Sequence, residues 1–299
     1  MTVSLPDGWR PIQPSDAPAV AALIDADEVA AGFRSRIGSE DIADWASRAN
    51  LATDSWLHEE EKGRLVAAGG GQVHAGAYFA RGCVHPAAKG QGLGARLVDL
   101  SEARAREHGV PAVHQVALGP DDAARRLLEA RGYAEARRHY TMTIELSEAP
   151  PAPELPDGLA LETFRDRDAR DWYAAANEIF EDEWGFDLGT FEDWWRLRAG
   201  DDHSLWFAAR DGGEIAAIVQ LQEWRRGGGF VDWLGVRRPW RRRGLGRALL
   251  VHAFRELHAR GAERVGLGVD AQNATGATRL YESVGMGVEA DHATFAKRL

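Results

Sequence analysis

Hydrophobic and polar positions follow the same order of elements in both halves of this chain. Apolar residues that alternate with polar ones predict strands, and apolar residues spaced three to four apart predict helices. The second half predicts a strand at 159–164, helices at 168–180 and 191–197, strands at 205–209, 214–223 and 229–236, a helix at 243–260, a strand at 264–269, a helix at 274–284 and a strand at 293–297. Turn signals at 211–213 and 226–228 join the middle strands into hairpins.

The first half repeats this order less clearly. It predicts helices at 16–25 and near 40–48, strands near 64–71 and 75–84, a helix at 91–108, a strand at 112–118, a helix at 121–130 and a strand at 141–146. Strands interleaved with helices and hairpins indicate an α/β fold with a mixed sheet of α+β character in each half. The proline-rich stretch at 149–158 is typical of a linker. We therefore expect an N-terminal domain at 1–148 and a C-terminal domain at 159–299.

A glycine-rich motif occurs once in each half. Residues 84–98 read VHPAAKGQGLGARLV, and residues 236–250 read VRRPWRRRGLGRALL. Each copy follows a predicted strand and opens a long predicted helix. Glycines let backbone amides approach a ligand closely, and the start of a helix adds unpaired N–H groups and a positive dipole end. The motif therefore predicts two pyrophosphate-binding loops, and its repetition indicates a tandem duplication.

Two other kinds of phosphate loop fit the sequence poorly. The chain contains no Gly-Lys-Ser or Gly-Lys-Thr, which a nucleotide-hydrolysing loop requires. The dinucleotide-binding fingerprint lies in the first strand-to-helix turn of its domain. The glycines of this chain follow several predicted strands instead.

Charge and composition exclude several classes of function. Lys and Arg number 36 against 46 Asp and Glu, and the net charge of −10 opposes binding to nucleic acid. The arginine-rich run at 237–243 contains a proline and precedes the glycines, so we assign it to phosphates of a small ligand rather than to DNA. Cys83 is the only cysteine, which excludes an internal disulfide and a cysteine-based metal site. No apolar run approaches the ~20 residues that span a bilayer. Residues 1–6 lack a signal-peptide pattern, so we expect a cytoplasmic protein. From the cysteine count and the missing apolar run we expect no metal and no membrane partner.

The glycine loops and the segment at 270–286 together resemble the GNAT superfamily of acetyl-CoA-dependent N-acyltransferases. The resemblance covers essentially the whole chain as two tandem GNAT-like domains, and it implies acetyl-CoA as the acetyl donor. In the family the loop amides hold the CoA pyrophosphate, and the preceding strand contacts the acetyl carbonyl and the pantetheine arm. The CoA-binding positions implied in the second half are Leu234, Val236, Arg241, Arg242, Arg243, Gly244, Leu245, Gly246 and Arg247. Those implied in the first half are Val84, Lys89, Gly90, Gly92, Gly94 and Ala95.

The resemblance also implies roles for two residues of the segment at 270–286. Asn273 stands where the family has an asparagine that contacts the pantetheine arm, and Tyr281 where it has a tyrosine that protonates the leaving thiolate. An extra residue after Asn273, and Met286 in place of the usual phenylalanine, depart from the family pattern. The first half has Leu128 in the position of Tyr281, and a leucine cannot donate a proton. We therefore expect catalysis in the C-terminal domain and a degenerate N-terminal domain.

Direct attack of an amine on the thioester, which the resemblance implies, requires a base near the acetyl group. Asp232 is the candidate, because it lies two residues before Leu234 on the loop strand and is expected on the same sheet face. A hydrogen-bonded structural acid is the alternative interpretation of Asp232. Glu223, on the preceding strand, is the second candidate for the base.

Acidic and aromatic residues are interleaved in the stretch 178–195, which borders the acceptor pocket in the family. Such a stretch suits a cationic amine through Coulomb attraction and cation–π contact. We interpret most of these acids as a solvated face and one or two of them as pocket residues. Beside the loop, Trp240 either covers the CoA or packs beneath the loop. Arg237 and Arg238 either reach the CoA phosphates or remain in solvent.

These observations predict an N-acetyltransferase that moves an acetyl group from acetyl-CoA to a primary amine of a small molecule or peptide. Two alternatives remain open: a non-catalytic acyl-CoA-binding sensor or scaffold, and an enzyme that acetylates a cysteinyl amine. The intact Asn273 and Tyr281 argue against the first alternative. Since a tandem pair of domains already resembles a dimer, a monomer is expected.

Overall fold

Strands and helices alternate through the first half of the molecule. The structure is a computed structural model that describes residues 5–33, 37–60, 63–224, 228–273 and 276–299. The strands of this half are β1 (Trp9–Arg10), β2 (Ser55–Glu59), β3 (Leu65–His74), β4 (Ala77–Val84), β5 (Ala112–Leu118) and β6 (Ala134–Glu145). The helices are α1 (Ala17–Ala30), α2 (Ser39–Arg48), α3 (Leu51–Asp54), α4 (Leu93–Glu107) and α5 (Asp122–Ala130).

The second half has the same kind of alternation. Its strands are β7 (Leu159–Thr163), β8 (Trp206–Asp211), β9 (Glu214–Trp224), β10 (Gly228–Val236), β11 (Arg264–Asp270) and β12 (Gly287–Arg298). Its helices are α6 (Ala169–Phe180), α7 (Phe191–Arg198), α8 (Leu245–Ala259) and α9 (Ala277–Ser283). Thr190 is the N-cap of α7, because its Oγ1 accepts a hydrogen bond from the Asp193 amide at 3.1 Å.

The last strand of the chain belongs to a compact unit formed mostly by the first half. Unit 1 comprises Met1–His139 with Ala290–Leu299, and unit 2 comprises Tyr140–Glu289. Within unit 1, β12 pairs antiparallel with β5. The part of β6 from Tyr140 onward belongs to unit 2. The compact units therefore differ from the ranges 1–148 and 159–299, because each half contributes a terminal strand segment to the other unit.

The sheet of unit 2 contains one parallel pair that ends partway along its strands. The strand order is β6-β11-β10-β9-β8-β7. β10 and β11 are parallel and pair from Gly229 opposite Val265 to Val231 opposite Leu267, whereas β10 itself continues to Val236. Antiparallel pairing joins β7 through β10. The carboxyl ends of β10 and β11 are therefore not paired with each other, and the second glycine motif follows directly after one of them.

Unit 1 has the same feature in a sheet ordered β1-β2-β3-β4-β5-β12. β4 and β5 are parallel and pair from Tyr78 opposite Val113 to Ala80 opposite Gln115. Beyond Ala80, β4 continues to Val84, where the first glycine motif begins. The mixed α/β arrangement that the sequence pattern predicts is confirmed in both units.

Helices cover both faces of the sheet in unit 2. A Cβ atom at Gly235 would lie 2.1 Å from Ile179 Cγ2 of α6, so this close approach requires glycine. On the other face, a Cβ atom at Gly229 would lie 2.6 Å from Leu257 Cδ1 of α8. Removal of apolar side chains from water stabilises this layered arrangement. Its largest fully buried side chains include Trp172, Trp206, Ile218, Leu221, Leu245, Leu249 and Leu250.

The differences between predicted and observed elements have local causes. The pattern does not predict β2, because its first three residues are all buried and no alternation results. β12 extends well beyond the predicted 293–297, since its added residues are half-buried or exposed and carry no apolar signal. The predicted helix start at 274 and most of the predicted turn at 226–228 lie outside the described residues. Within the described residues, none of the helices combines the length and the apolar character that crossing a bilayer requires.

Candidate functional site

The second glycine loop connects β10 to α8 through two residues in the left-handed region. Arg242 has φ 62° and Gly244 has φ 83°, values that favour glycine. Gly244 lies at the start of α8, and its carbonyl accepts a hydrogen bond from the Ala248 amide at 3.0 Å. Apart from Gly244 and its chain neighbours, the described residues place no atom within 4 Å of the position that a Cβ atom would take at Gly244. The turn therefore leaves room for a ligand directly at the positive end of the helix dipole.

The first glycine loop has the same backbone shape. Gly90 and Gly92 both have φ 83°, and the Gly92 carbonyl accepts a hydrogen bond from the Arg96 amide at 3.0 Å. Both glycines also have open space where a Cβ atom would lie. Gly90 corresponds to Arg242, so the second loop places an arginine in a conformation that costs a non-glycine residue roughly 1–2 kcal/mol. Each loop presents the amides of a helix start to open space, an arrangement that fits an anionic pyrophosphate.

Protein groups hold the cations that stand at equivalent positions in the two loops. Lys89 Nζ lies 2.8 Å from Asp27 Oδ1 and 2.8 Å from Asp121 Oδ2. Arg241 Nε donates a hydrogen bond to the Val236 carbonyl at 2.9 Å. Both cations therefore brace the structure around their loops, and the backbone amides are the groups best placed to bind phosphate.

Arg237 and Arg238 form ion pairs with acids at the end of α6. Arg237 Nη2 lies 2.7 Å from Glu178 Oε2. Arg238 Nη2 lies 2.7 Å from both Glu181 Oε1 and Asp182 Oδ2. Arg238 remains exposed to solvent, as one interpretation predicts, whereas Arg237 is half-buried and held by Glu178.

Two conspicuous residues near the loops have structural roles. Trp240 is buried beneath the second loop, and its Nε1 donates a hydrogen bond to Asp211 Oδ2 at 2.9 Å. Burial, with the nearby Asp27 carboxylate, raises the pKa of the Cys83 thiol to about 12. Since the thiolate is the reactive form of cysteine, Cys83 is an inert packing residue.

A cavity of about 300 Å³ lies at the first glycine loop, between the unpaired ends of β4 and β5. Lys89 with its two carboxylate partners lines one part of it, and the glycines of the loop line another. Gln115 on β5 is buried, and its Nε2 has no hydrogen-bond partner among the described residues. Leu128 of α5 lines the same cavity, in the position that Tyr281 takes in the other half. The cavity therefore offers polar groups to a ligand but no tyrosine phenol.

A β-bulge distinguishes β10 from its counterpart in unit 1. The register of β10 against β9 shifts between Val231 and Trp233, which makes Asp232 the extra residue. β4 pairs with β3 without a shift from Ala77 to Val84. The strands that lead into the two glycine loops are therefore regular in unit 1 and irregular in unit 2.

The bulge turns Asp232 toward the face of the sheet that α6 and α7 cover. Its Oδ2 lies 3.3 Å from Gln220 Nε2 and 3.9 Å from Nη1 of Arg198, the last residue of α7. Leu234 precedes Gly235, which faces α6, and therefore points to the opposite face. The expectation that Asp232 and Leu234 share a face is wrong, because the bulge interrupts the alternation of side chains.

The surroundings of Asp232 favour proton acceptance. Burial raises the pKa of this carboxyl group above its ordinary value, although the positive charge of Arg198 opposes the shift. A raised pKa makes a carboxylate a stronger base near neutral pH. Glu223, the second candidate, lies on β9 opposite Gly229, which is near the end of β10 that is far from the loop. It forms an ion pair with Arg260 at 3.1 Å. The structure therefore does not bring Glu223 to the loop.

Tyr281, Asn273 and Glu183 lie close together at the carboxyl end of β11. Tyr281 has only 7% of its surface exposed. Burial, helped by the negative charge of Glu183, raises the pKa of its phenol to about 12, so it keeps its proton at neutral pH. Asn273 Nδ2 lies 3.5 Å from Glu183 Oε1. Sequence reasoning does not single out Glu183, because only the fold brings the residue after α6 next to α9.

The remaining acids of this stretch have partners on α6, on α7 or in the loop between them. Two of them pair with arginines of α6 and α7, and one accepts a hydrogen bond from a nearby amide. These contacts are Glu192 with Arg170 at 3.4 Å, Asp193 with Arg196 at 2.7 Å, and Asp187 with the Gly189 amide at 2.8 Å. Most of the acids therefore stabilise the surface around α6 and α7, whereas Glu183 lies at the candidate site.

Known proteins resemble this chain along nearly its whole length. A mycothiol acetyltransferase of Thermobispora bispora is 36% identical over 209 residues, which cover 67% of this chain and 69% of that protein. A mycothiol acetyltransferase of Beutenbergia cavernae is 33% identical over 214 residues, which cover 67% of this chain and 70% of that protein. The crystal structure of a GCN5-related N-acetyltransferase from Sphaerobacter thermophilus matches with a TM-score of 0.86 at 34% identity, over 99% of this chain and 97% of that one.

Two further similarities concern the duplication. A tandem GNAT protein from the clavulanic acid biosynthesis pathway has the same fold, with a TM-score of 0.74 at 17% identity over 97% of this chain and 98% of that one. A sequence model of the acetyltransferase (GNAT) family matches the chain twice, at residues 21–133 and 164–286. These matches confirm the tandem arrangement predicted from the repeated glycine motif. The chain therefore belongs to the acetyltransferase (GNAT) family.

Proposed function

We propose that unit 2 transfers an acetyl group from acetyl-CoA to a primary amine of a small molecule or peptide. Members of the family are acyltransferases that use acetyl-CoA and an amine. The observation that carries the assignment to unit 2 is the bulge at Asp232 on a strand that leads to a glycine loop. Tyr281 supplies a protonated phenol in the same unit, whereas unit 1 has Leu128 and a regular strand.

The reaction follows from the roles of two ionisable groups. The amine nitrogen attacks the thioester carbonyl carbon, a C–N bond forms, and the C–S bond breaks. Asp232 accepts the proton that the amine loses, and Tyr281 donates a proton to the departing thiolate. The two pKa shifts suit this division, because burial makes Asp232 a stronger base and keeps Tyr281 protonated.

Acetyl-CoA binds at the second loop through backbone groups. The pyrophosphate lies on the amides of residues 242–247, at the start of α8. The pantetheine arm runs along the unpaired end of β10 at Leu234 and Val236 and reaches Asn273. This path requires no side-chain cation, in keeping with the protein contacts of Arg241.

Unit 1 holds a second CoA molecule that does not react. Its loop has the same backbone, with open space at Gly90 and Gly92, and its cavity contains the unpartnered amide nitrogen of Gln115. The apolar Leu128 cannot protonate a leaving thiolate. This second site is therefore structural or regulatory rather than catalytic.

Titration with acetyl-CoA tests both assignments. We expect two binding sites per chain by calorimetry.

Aspartate tolerates a left-handed backbone and is a favourable residue at a helix start, but its charge repels a pyrophosphate. Gly244→Asp should remove one site and lower turnover at least about tenfold, which corresponds to about 1.4 kcal/mol. The matched Gly92→Asp should remove the other site and leave turnover of the open C-terminal site intact. Loss of turnover only in Gly92→Asp would place catalysis in unit 1, and no binding by the unaltered protein would overturn the proposal.

Asp232→Asn tests the base. The amide keeps a hydrogen-bonding group beside Gln220 but cannot accept the amine proton, so we expect kcat to fall about 10²- to 10⁴-fold. Because burial raises the pKa of Asp232, activity of the unaltered enzyme should decline as pH falls through that pKa, and the variant should lack this acidic limb. Glu223→Gln, a matched loss of a carboxylate from the neighbouring strand, should keep normal activity and the normal pH profile. Full activity of Asp232→Asn would show that another group takes the proton.

The acceptor is a primary amine, and a screen of amines is the direct way to identify it. The similarity to mycothiol acetyltransferases favours a cysteinyl amine as one member of that screen. We would therefore test cysteine amide, serine amide, glucosamine and 1,3-diaminopropane, with release of CoA followed by chromatography.

A further inference from the structure

Glu183 is the acidic residue of unit 2 that the structure places beside both Asn273 and Tyr281. It lies in the turn after α6, where its amide donates a hydrogen bond to the Phe180 carbonyl at 2.8 Å. Its Oε1 lies 3.5 Å from Asn273 Nδ2, and its charge acts on the Tyr281 phenol. If Tyr281 protonates the leaving thiolate, Glu183 lies next to the thioester.

No described cation neutralises Glu183. The acids directly before it, Glu181 and Asp182, both pair with Arg238, whereas Glu183 forms no ion pair with an arginine or lysine of the described residues. Burial raises the pKa of Glu183, and the negative charge of Asp270 at the end of β11 adds to this shift. A positively charged group bound beside Glu183 would therefore be stabilised.

An aromatic cluster fixes the turn that carries Glu183. Phe180 before it and Phe186 after it lie with ring centroids 5.5 Å apart. Both rings pack against Trp233, the residue that follows the bulge, at 5.4 Å and 6.0 Å. The Phe186 amide also donates a hydrogen bond to the Glu183 carbonyl at 3.2 Å. The carboxylate is therefore held on a rigid turn next to the strand that carries Asp232, and a ligand meets it with little reorganisation.

We propose that Glu183 binds the ammonium group of the acceptor and positions it beside the thioester. The ammonium then releases one proton to water, and Asp232 accepts the second proton as the neutral amine attacks. The proposal rests on the proposed acetyltransferase function of unit 2. An amine arrives at neutral pH as a cation, and a carboxylate that forms no ion pair with a described arginine or lysine binds it through a charge-assisted hydrogen bond. Glu183 then determines specificity for cationic acceptors, while the bond-making step belongs to Asp232 and Tyr281.

Steady-state kinetics of Glu183→Gln test this role, with the best amine from the screen as the probe. We expect KM for the amine to rise about 10- to 100-fold, the range that losing a hydrogen bond to a charged group produces. KM for acetyl-CoA should stay unchanged and kcat should change much less than KM for the amine, because the reacting groups remain. Glu183→Asp keeps the charge on a shorter side chain. Its KM for the amine should lie between the values of the unaltered enzyme and of Glu183→Gln.

Asp182→Asn is the matched control, since it removes a neighbouring acid whose partner is Arg238. It should leave KM for the amine unchanged, and an equal rise in both variants would mean that the turn is merely disturbed. An unchanged KM for the amine in Glu183→Gln would overturn the inference and leave the proposed function standing. Failure of the unaltered enzyme to acetylate any amine would overturn the proposed function, and this inference with it.

Discussion

Replacing Tyr281 with phenylalanine is expected to lower kcat about 10²- to 10⁴-fold, the usual contribution of a positioned general acid. The ring stays in its buried position on α9, so only the phenol oxygen and its proton are lost. Binding of acetyl-CoA should not change, because the loop amides that we propose as the pyrophosphate site lie at the start of another helix. Calorimetry for binding and CoA release for turnover would separate the two effects.

Tyr140→Phe provides the matched control for this experiment. Tyr140 also packs partly buried against the core of unit 2, and it also loses only a phenol oxygen on substitution. It should retain normal turnover. If Tyr281→Phe also retained normal turnover, water or another group would protonate the thiolate, and the assignment of catalysis to unit 2 would lose one of its two supports.

Replacing Asp54 with alanine is expected to destabilise unit 1 by about 3–5 kcal/mol, the cost of removing one partner from a buried ion pair. The Asp54 side chain is 8% exposed, and its Oδ1 lies 2.9 Å from Arg104 Nε and 2.8 Å from His108 Nε2. It also accepts hydrogen bonds from the Tyr78 hydroxyl at 3.1 Å and the Thr53 hydroxyl at 2.8 Å. Without the carboxylate, the guanidinium of Arg104 stays in a poorly solvated place. The urea midpoint of unfolding measures this loss.

The same network makes the free energy of unfolding of unit 1 depend on pH. Burial acts to raise the pKa of Asp54, but the hydrogen bonds from Arg104, His108 and Thr53 outweigh it and lower that pKa to about 2. A folded-state pKa below the unfolded value of about 3.9 stabilises the fold above that value, and this contribution disappears as pH falls toward 2. Asp54→Ala should therefore lose less stability than the unaltered protein between about pH 4 and pH 2. Asp122→Asn, which removes an exposed acid of α5 that pairs with Arg125, should shift the midpoint and its pH dependence far less than Asp54→Ala does.

Helices and hairpins of this fold follow closely from the sequence, and the missed elements are those without a periodic signal. α8 begins after Gly244 and α7 after its N-cap Thr190, because caps and glycines mark boundaries locally. β2 is buried on three successive residues, so alternation does not reveal it. Pairing of β12 with β5 joins distant parts of the chain, and no local pattern records such a choice.

In the candidate site, too, some features could be predicted from the sequence and others could not. The glycine loops could be predicted because phosphate binding needs residues that are adjacent in sequence. The face of Asp232 could not, since a bulge arises from how β10 pairs with β9 and one inserted residue reverses the side-chain directions. Glu183 could not be predicted either, because its place beside Asn273 depends on elements 90 residues apart.

The shared strands of the two units bear on how this protein can be divided. Cutting the chain within 149–158 would separate Tyr140–Glu145 from most of unit 2 and Ala290–Leu299 from most of unit 1. Each fragment would then expose a sheet edge that lacks its neighbour, a surface prone to aggregation. When the two fragments are expressed together, each would instead supply the strand segment that the other lacks. Shortening the gene to the second repeat would therefore remove part of a sheet, which gives the first repeat a structural reason to be retained.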